Sequence, residues 1–159
     1  MNGLSSLEVS FELKPGNGLV SKDIGVEQVV VKEPISDRKD RYSPTQFLLF
    51  GMSGCTSGDV ISILSKMRQN YTSFRVSTTA QREEEHPKVV RFVNIHFFLE
   101  GNLDPEKVRK AINLSLTKYC SVSILAIRGG ADVRYSLTIN GKDIDMERKP
   151  DTDLASIPG

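Results

Sequence analysis

The sequence predicts an α+β fold with a largely antiparallel sheet. Three observations carry this. The order of periodic segments is strands, one apolar helix, two long strands, a helix, then a strand pair. The two long runs, "YTSFRVSTTAQRE" and "KVVRFVNIHFFLEG", alternate and are joined only by the charged turn "EEEHP", which reads as a hairpin. The segment "FLLFGMSGC" is apolar nearly all round, so its helix belongs in a core or at a subunit contact.

Each element has a local reason. "LEVSFEL" alternates at Leu7, Val9, Phe11 and Leu13, and "PGNG" is a turn signal. "IGVEQVVVKEP" gives a second extended run that stops before Pro34, and "SDRKDRYSP" is a charged loop. Ser43 is the expected N-cap of a long helix with Pro44 at its first position. Val60, Ile61, Ile63, Leu64 and Met67 form its expected buried stripe. Three glycines, Gly51, Gly54 and Gly58, surround Cys55 in that helix. Each interior glycine costs about 0.5–1 kcal/mol relative to alanine, so either close approach of a neighbour or room left beside Cys55 is expected there. Asp104 caps a second helix that starts at Pro105 and buries Val108, Ala111, Ile112, Leu114 and Ser115. Ser121 is the expected cap of a short helix ending at Gly129 and Gly130. "ADVRYSLTINGKDIDME" reads as a strand, an Asn-Gly turn and a return strand. The chain of 159 residues suits a single domain, 1–150, with a loose tail over 151–159.

Lys+Arg is 21 and Asp+Glu is 20, so no strong field selects nucleic acid as a partner. The weakly charged run from Tyr42 to Lys66 holds Ser, Thr, Gln and Gly, and is read as lacking the apolar density of a membrane span. The first residues show no secretory signal pattern, and a cytoplasmic location is expected.

Two cysteines are too few for a disulfide scaffold or a structural zinc cluster. Cys55 has glycines that permit approach, and Cys120 precedes a helix start whose dipole favours a thiolate. The residues alone leave two readings open, a redox pair or two buried thiols. His96 lies on a strand face beside Asn94 and Phe98 and reads as packing, while His86 lies in the charged turn. A zinc site from Cys55, Cys120 and His86 matches no zinc spacing, so neither a metal nor another cofactor is expected. "GMSGCTSG" lacks the lysine of a phosphate-binding loop.

"SPTQFLLFGMSGCTSGDVISILSKMR", followed by "QREEEHPKVVRFVNIHFFLEGNLDPEKVRKAINLSLTKYCSVS", resembles the OsmC/Ohr family of peroxide-reducing proteins. The resemblance spans Ser43 to Ile139. It implies an intertwined homodimer whose antiparallel sheets pack around two central helices. It further implies thiol-dependent reduction of organic hydroperoxides, with Cys55 as the peroxidatic and Cys120 as the resolving cysteine and an external dithiol as reductant. The better-characterised family members carry an acidic residue after the helix-starting proline, which positions an activating arginine. Here that place is Thr45. Arg38 and Arg41 in the N-terminal loop, and Arg82 of the "REE" segment, are the candidates for that arginine. A non-catalytic dimeric binding module with an apolar interface pocket is the alternative on the same fold.

Overall fold

The computed structural model describes residues 11–14, 18–21, 29–32 and 41–151. The chain forms two compact units, residues 1–48 and 49–159. The first unit holds a three-stranded antiparallel sheet in the order β1 (Phe11–Lys14), β2 (Gly18–Ser21), β3 (Val30–Val31). Val20 is its buried apolar residue among those described, and a parallel bridge joins Val31 to Tyr42. Of the strand expected over "LEVSFEL", only the part from Phe11 falls among the described residues.

The long helix α1 runs over Pro44–Lys66, from the end of the first unit into the second. It begins where the sequence places it, with a reciprocal cap. Ser43 Oγ accepts the Gln46 N–H at 3.3 Å, and the Ser43 N–H donates to Gln46 Oε1 at 2.8 Å. Its buried residues are Met52, Thr56, Val60 and Leu64, each four apart and therefore on one stripe.

The second unit is built on a four-stranded sheet in the order β4 (Asn70–Arg82), β5 (Val90–Asn102), β6 (Asp132–Ile139), β7 (Lys142–Arg148). The β4–β5 hairpin expected from the sequence is present, paired from Asn70↔Asn102 to Arg82↔Val90. β6 and β7 pair antiparallel around the Asn140–Gly141 turn, where both residues have positive φ. One pairing departs from expectation. β5 and β6 run parallel, from Phe92↔Asp132 to Leu99↔Ile139, so the sheet is mixed. Parallel neighbours need a long crossover, and α2 (Pro105–Leu114), a π-turn (Ser115–Tyr119) and α3 (Ser121–Arg128) supply it.

The core lies between this sheet and the helices. Val93, Ile95, Phe97 and Leu99 alternate along β5, and Val133, Tyr135, Leu137 and Ile139 along β6. Met52, Val60 and Leu64 of α1 join them, together with Val108, Ala111 and Ile112 of α2. Asp104 caps α2 by accepting the Glu106 N–H at 2.9 Å. At the start of the expected tail, the Asp151 N–H donates to Asn113 Oδ1 at 2.6 Å.

Only one stripe of α1 is buried, so core packing does not account for its all-round apolarity. Phe50 and Ile61 are 52% and 39% exposed. A Cβ added at Gly54 or Gly58 would meet nothing within 4 Å, and one at Gly51 would lie 3.9 Å from Val122. The close approach expected around these glycines is therefore not made among the described residues of this chain. α1 is also long and apolar enough to cross a bilayer, which corrects the density reading made from the sequence. Its stripe is instead packed into a folded core with β5 and β6.

Candidate thiol site

The site forms where α1 meets the turn between α2 and α3. Cys55 is half-buried on α1, and Asp59, one helical turn later, lies on the same face. Cys120 is fully buried at the start of α3. The sequence reading put the cap of α3 at Ser121. The cap is Cys120 itself, with extended φ and ψ of −77° and 99°, and Ser121 is the first helical residue. The π-turn sets this up. The Cys120 N–H reaches back five residues to the Ser115 carbonyl at 2.8 Å, which shifts the chain by one position relative to a continuous helix.

Around Cys120 Sγ the polar groups form a closed ring. Thr56 Oγ1 donates to the sulfur at 3.3 Å, the thiol donates to Ser123 Oγ at 3.3 Å, and the two hydroxyls are 3.0 Å apart. The Ser123 backbone N–H also donates to the sulfur, at 3.4 Å. Asp59 is fixed as well, because Ser115 Oγ donates to its Oδ2 at 2.8 Å. The donor atoms of Cys55, Asp59 and Cys120 all lie within 4.8 Å of one another. Both cysteines are free thiols.

The two thiols are polarised in opposite directions. Burial pushes the Cys120 thiol up, but hydrogen bonds from Ser123, Thr56, Cys55 and the Ser123 backbone outweigh it, and its pKa falls below the ordinary value. Burial pushes the Cys55 thiol up, and its hydrogen bond to Cys120 pushes the same way. A backbone hydrogen bond from Val122 opposes this, the charges of Cys120 and Asp59 add to it, and the pKa is raised.

The structure brings Cys55 and Cys120 together and gives Arg82 and His96 partners outside that pair. Arg82 is exposed at the end of β4, where its Nε donates to the Lys88 carbonyl at 3.0 Å. Arg41 is half-buried in the first unit, and Arg38 lies outside the described residues. His86 is exposed in the β4–β5 turn. His96 stacks on Phe98 at 3.8 Å, and its Nε2 lies 2.8 Å from Thr138 Oγ1. Thr138 donates its own proton to Asp143, so His96 donates to Thr138, and the ring is held as part of the sheet surface. A groove of about 600 Å³ lies among Leu116, Ile124, Ile127, Arg128, Val133 and Lys149, and neither cysteine lines it.

Sequence reasoning missed Thr56, Asp59, Ser115 and Ser123. Two signals were available. Asp59 stands at the i+4 position from Cys55, and Ser123 stands three residues after Cys120, where a capping sulfur meets a backbone N–H.

The profile of the OsmC-like protein family matches residues 37–147. The chain belongs to the OsmC-like family. That match crosses the boundary between the two compact units. Protein YhfA of Escherichia coli strain K12 is 39% identical over 84 residues, covering 52% of this chain and 63% of YhfA. The chain thus matches somewhat less than two thirds of the length of that curated relative. A hypothetical protein from Aquifex aeolicus VF5 has a solved structure with TM-score 0.75 and 25% identity, over 86% of this chain and 98% of that one. An organic hydroperoxide resistance protein OsmC from Legionella pneumophila has the same fold, with TM-score 0.62 and 15% identity over 85% and 99% of the two chains. In this OsmC-like chain a carboxylate, Asp59, stands beside the cysteine pair.

Proposed function

We propose that this protein reduces organic hydroperoxides through Cys55 and Cys120. The observation that carries the reading is the approach of the two sulfurs to within 4.8 Å, one half-buried and one fully buried. OsmC-like family membership and the hydroperoxide-resistance name of the Legionella neighbour support it.

In the proposed reaction the Cys55 thiolate attacks one peroxide oxygen. The O–O bond breaks, the alcohol leaves with a proton, and sulfur keeps a hydroxyl as the sulfenic acid. The Cys120 thiolate then attacks the Cys55 sulfur, and the hydroxyl leaves as water after taking a proton. The two thiols have together lost two electrons to the peroxide. An external dithiol restores them by exchange. The burial pattern fits this order, because the outer sulfur meets the peroxide and the inner one has only to meet the outer. The hydrogen-bonded ring favours the Cys120 thiolate and so favours fast disulfide closure.

The proposal includes a cytoplasmic homodimer in which the two units of each chain make up one OsmC-like domain. The exposed face of α1 supports the dimer, since Phe50, Ile61 and the glycines at 51, 54 and 58 give an apolar surface that a second backbone can approach closely. Obligate interfaces usually bury more than about 2,000 Å² in total. Gly54→Leu places a bulky side chain where the protomer itself offers no clash. The expected result is dissociation seen by light scattering at micromolar concentration, with helix content retained. An unchanged dimer would move the interface away from α1.

The function is tested by counting thiols before and after one equivalent of cumene hydroperoxide. Both thiols of each chain should vanish, and non-reducing peptide mapping should recover a Cys55–Cys120 disulfide. Two thiols still titratable after excess peroxide would leave the binding module as the function of this fold.

A further inference from the structure

We propose that the reduced site binds a zinc-class divalent cation through Cys55 Sγ, Asp59 and Cys120 Sγ. The three donor atoms converge to within 4.8 Å of one another. Tetrahedral zinc with thiolate bonds of about 2.3 Å holds its sulfurs about 3.8 Å apart, so an ion needs little movement to be gripped. Two thiolates and one carboxylate, with a fourth position left for water, are a donor set that suits this ion.

The support around these donors is already built. Ser115 Oγ donates to Asp59 Oδ2, which aims the carboxylate and leaves its second oxygen to give. Thr56 Oγ1 and the Ser123 backbone N–H donate to Cys120 Sγ, as groups around a metal-bound thiolate do. The ligands also lie on rigid elements. Cys55 and Asp59 are one turn apart on α1, and Cys120 is locked as the cap of α3. His86, the third ligand weighed from the sequence, is exposed in the β4–β5 turn, and Asp59 takes the place given to it.

Binding of the ion requires only the reduced dithiol and does not rest on the peroxidase reading. One consequence does rest on it. A bound ion occupies both sulfurs, so it blocks attack on the peroxide until it is removed.

The test uses reduced, metal-stripped full-length protein titrated with Co²⁺. One ion per chain should bind, with a thiolate-to-cobalt charge-transfer band in the near ultraviolet, and Zn²⁺ should displace it. Asp59→Asn should weaken binding by about 10–100-fold or more, and Ser115→Ala, which leaves every ligand in place, by about 10-fold. Protein oxidised beforehand with diamide should bind no ion. These readouts are independent of peroxide turnover, so a protein that fails as a peroxidase can still pass here. The absence of a charge-transfer band at millimolar Co²⁺ would overturn the site. A band whose affinity is the same in wild type, Asp59→Asn and Ser115→Ala would also overturn it, because the carboxylate would then have no part in the binding.

Discussion

On the proposed chemistry, the expected result of Cys55→Ser is a loss of peroxide consumption on the order of 10³-fold or more, the scale on which removal of a covalent nucleophile acts. A serine hydroxyl at its free pKa is no nucleophile toward peroxide. Cys120→Ser behaves differently. It leaves the outer thiol in place, so the expected result is one reaction with a hydroperoxide, followed by a stall as a Cys55 sulfenic acid or passage to the sulfinic acid. Dithiol-driven turnover should fall in both variants. A single-turnover burst, followed by mass spectrometry of the modified peptide, separates them. The two thiols make the order a sharp question, because the better-stabilised thiolate belongs to Cys120 and the more accessible sulfur to Cys55. The proposed order follows access, since a fully buried sulfur cannot meet a bulky peroxide before the protein opens. First-hit oxidation on Cys120 with Cys55 untouched would reverse the two roles. Equal burst amplitudes in wild type and Cys55→Ser would remove Cys55 from the chemistry.

Asp145→Ala destabilises the fold by about 3–5 kcal/mol at pH 7, the cost of breaking a buried ion pair by removing one partner. Asp145 on β7 is 7% exposed at its side chain. It accepts two hydrogen bonds from Arg109 of α2, at 2.9 and 3.2 Å, and one from Arg148 at 3.1 Å. Arg109 also pairs with Glu106, so its charge keeps one partner in the variant and the loss falls toward the lower end of the range. The same contact predicts a pH dependence. Burial pushes the Asp145 carboxyl up, but hydrogen bonds and charge from Arg109 and Arg148 outweigh it, and the folded pKa lies below the ordinary aspartate value. Such a group contributes stability that is full above the unfolded pKa, about 3.9, and is lost as pH falls through the folded value. Urea melts of wild type and Asp145→Asn should therefore differ most at neutral pH and converge below about pH 4. A gap that stays constant down to pH 2.5 would mean that the carboxylate charge contributes nothing to the fold.

The secondary structure was legible because its signals are local. Ser43 before Pro44, Asp104 before Pro105 and Asn140 before Gly141 each fix a backbone conformation within a few residues, and helices or turns stand at all three. The alternation along β5 likewise divides it into its two faces, and packing decides that the one with Val93, Ile95, Phe97 and Leu99 is buried. The two cysteines could be picked out as candidates because few residue types do thiol chemistry and the chain holds just two of them.

Tertiary structure alone decided the rest. The parallel β5–β6 pairing follows from where the crossover returns the chain, and no alternation pattern encodes a strand's partner. The cap of α3 moved from Ser121 to Cys120 because a π-turn, closed by the hydrogen bond from the Cys120 N–H to the Ser115 carbonyl, shifts the register before it. The surroundings of the thiols come from three separate elements, Thr56 and Asp59 on α1, Ser115 in the π-turn and Ser123 on α3. Their effects on the two sulfurs depend on distance and desolvation, so they exist only once the helices have packed. That is why the sequence by itself determined which atoms could react, while the folded protein decided which sulfur is buried, which thiolate is favoured and which carboxylate stands beside them.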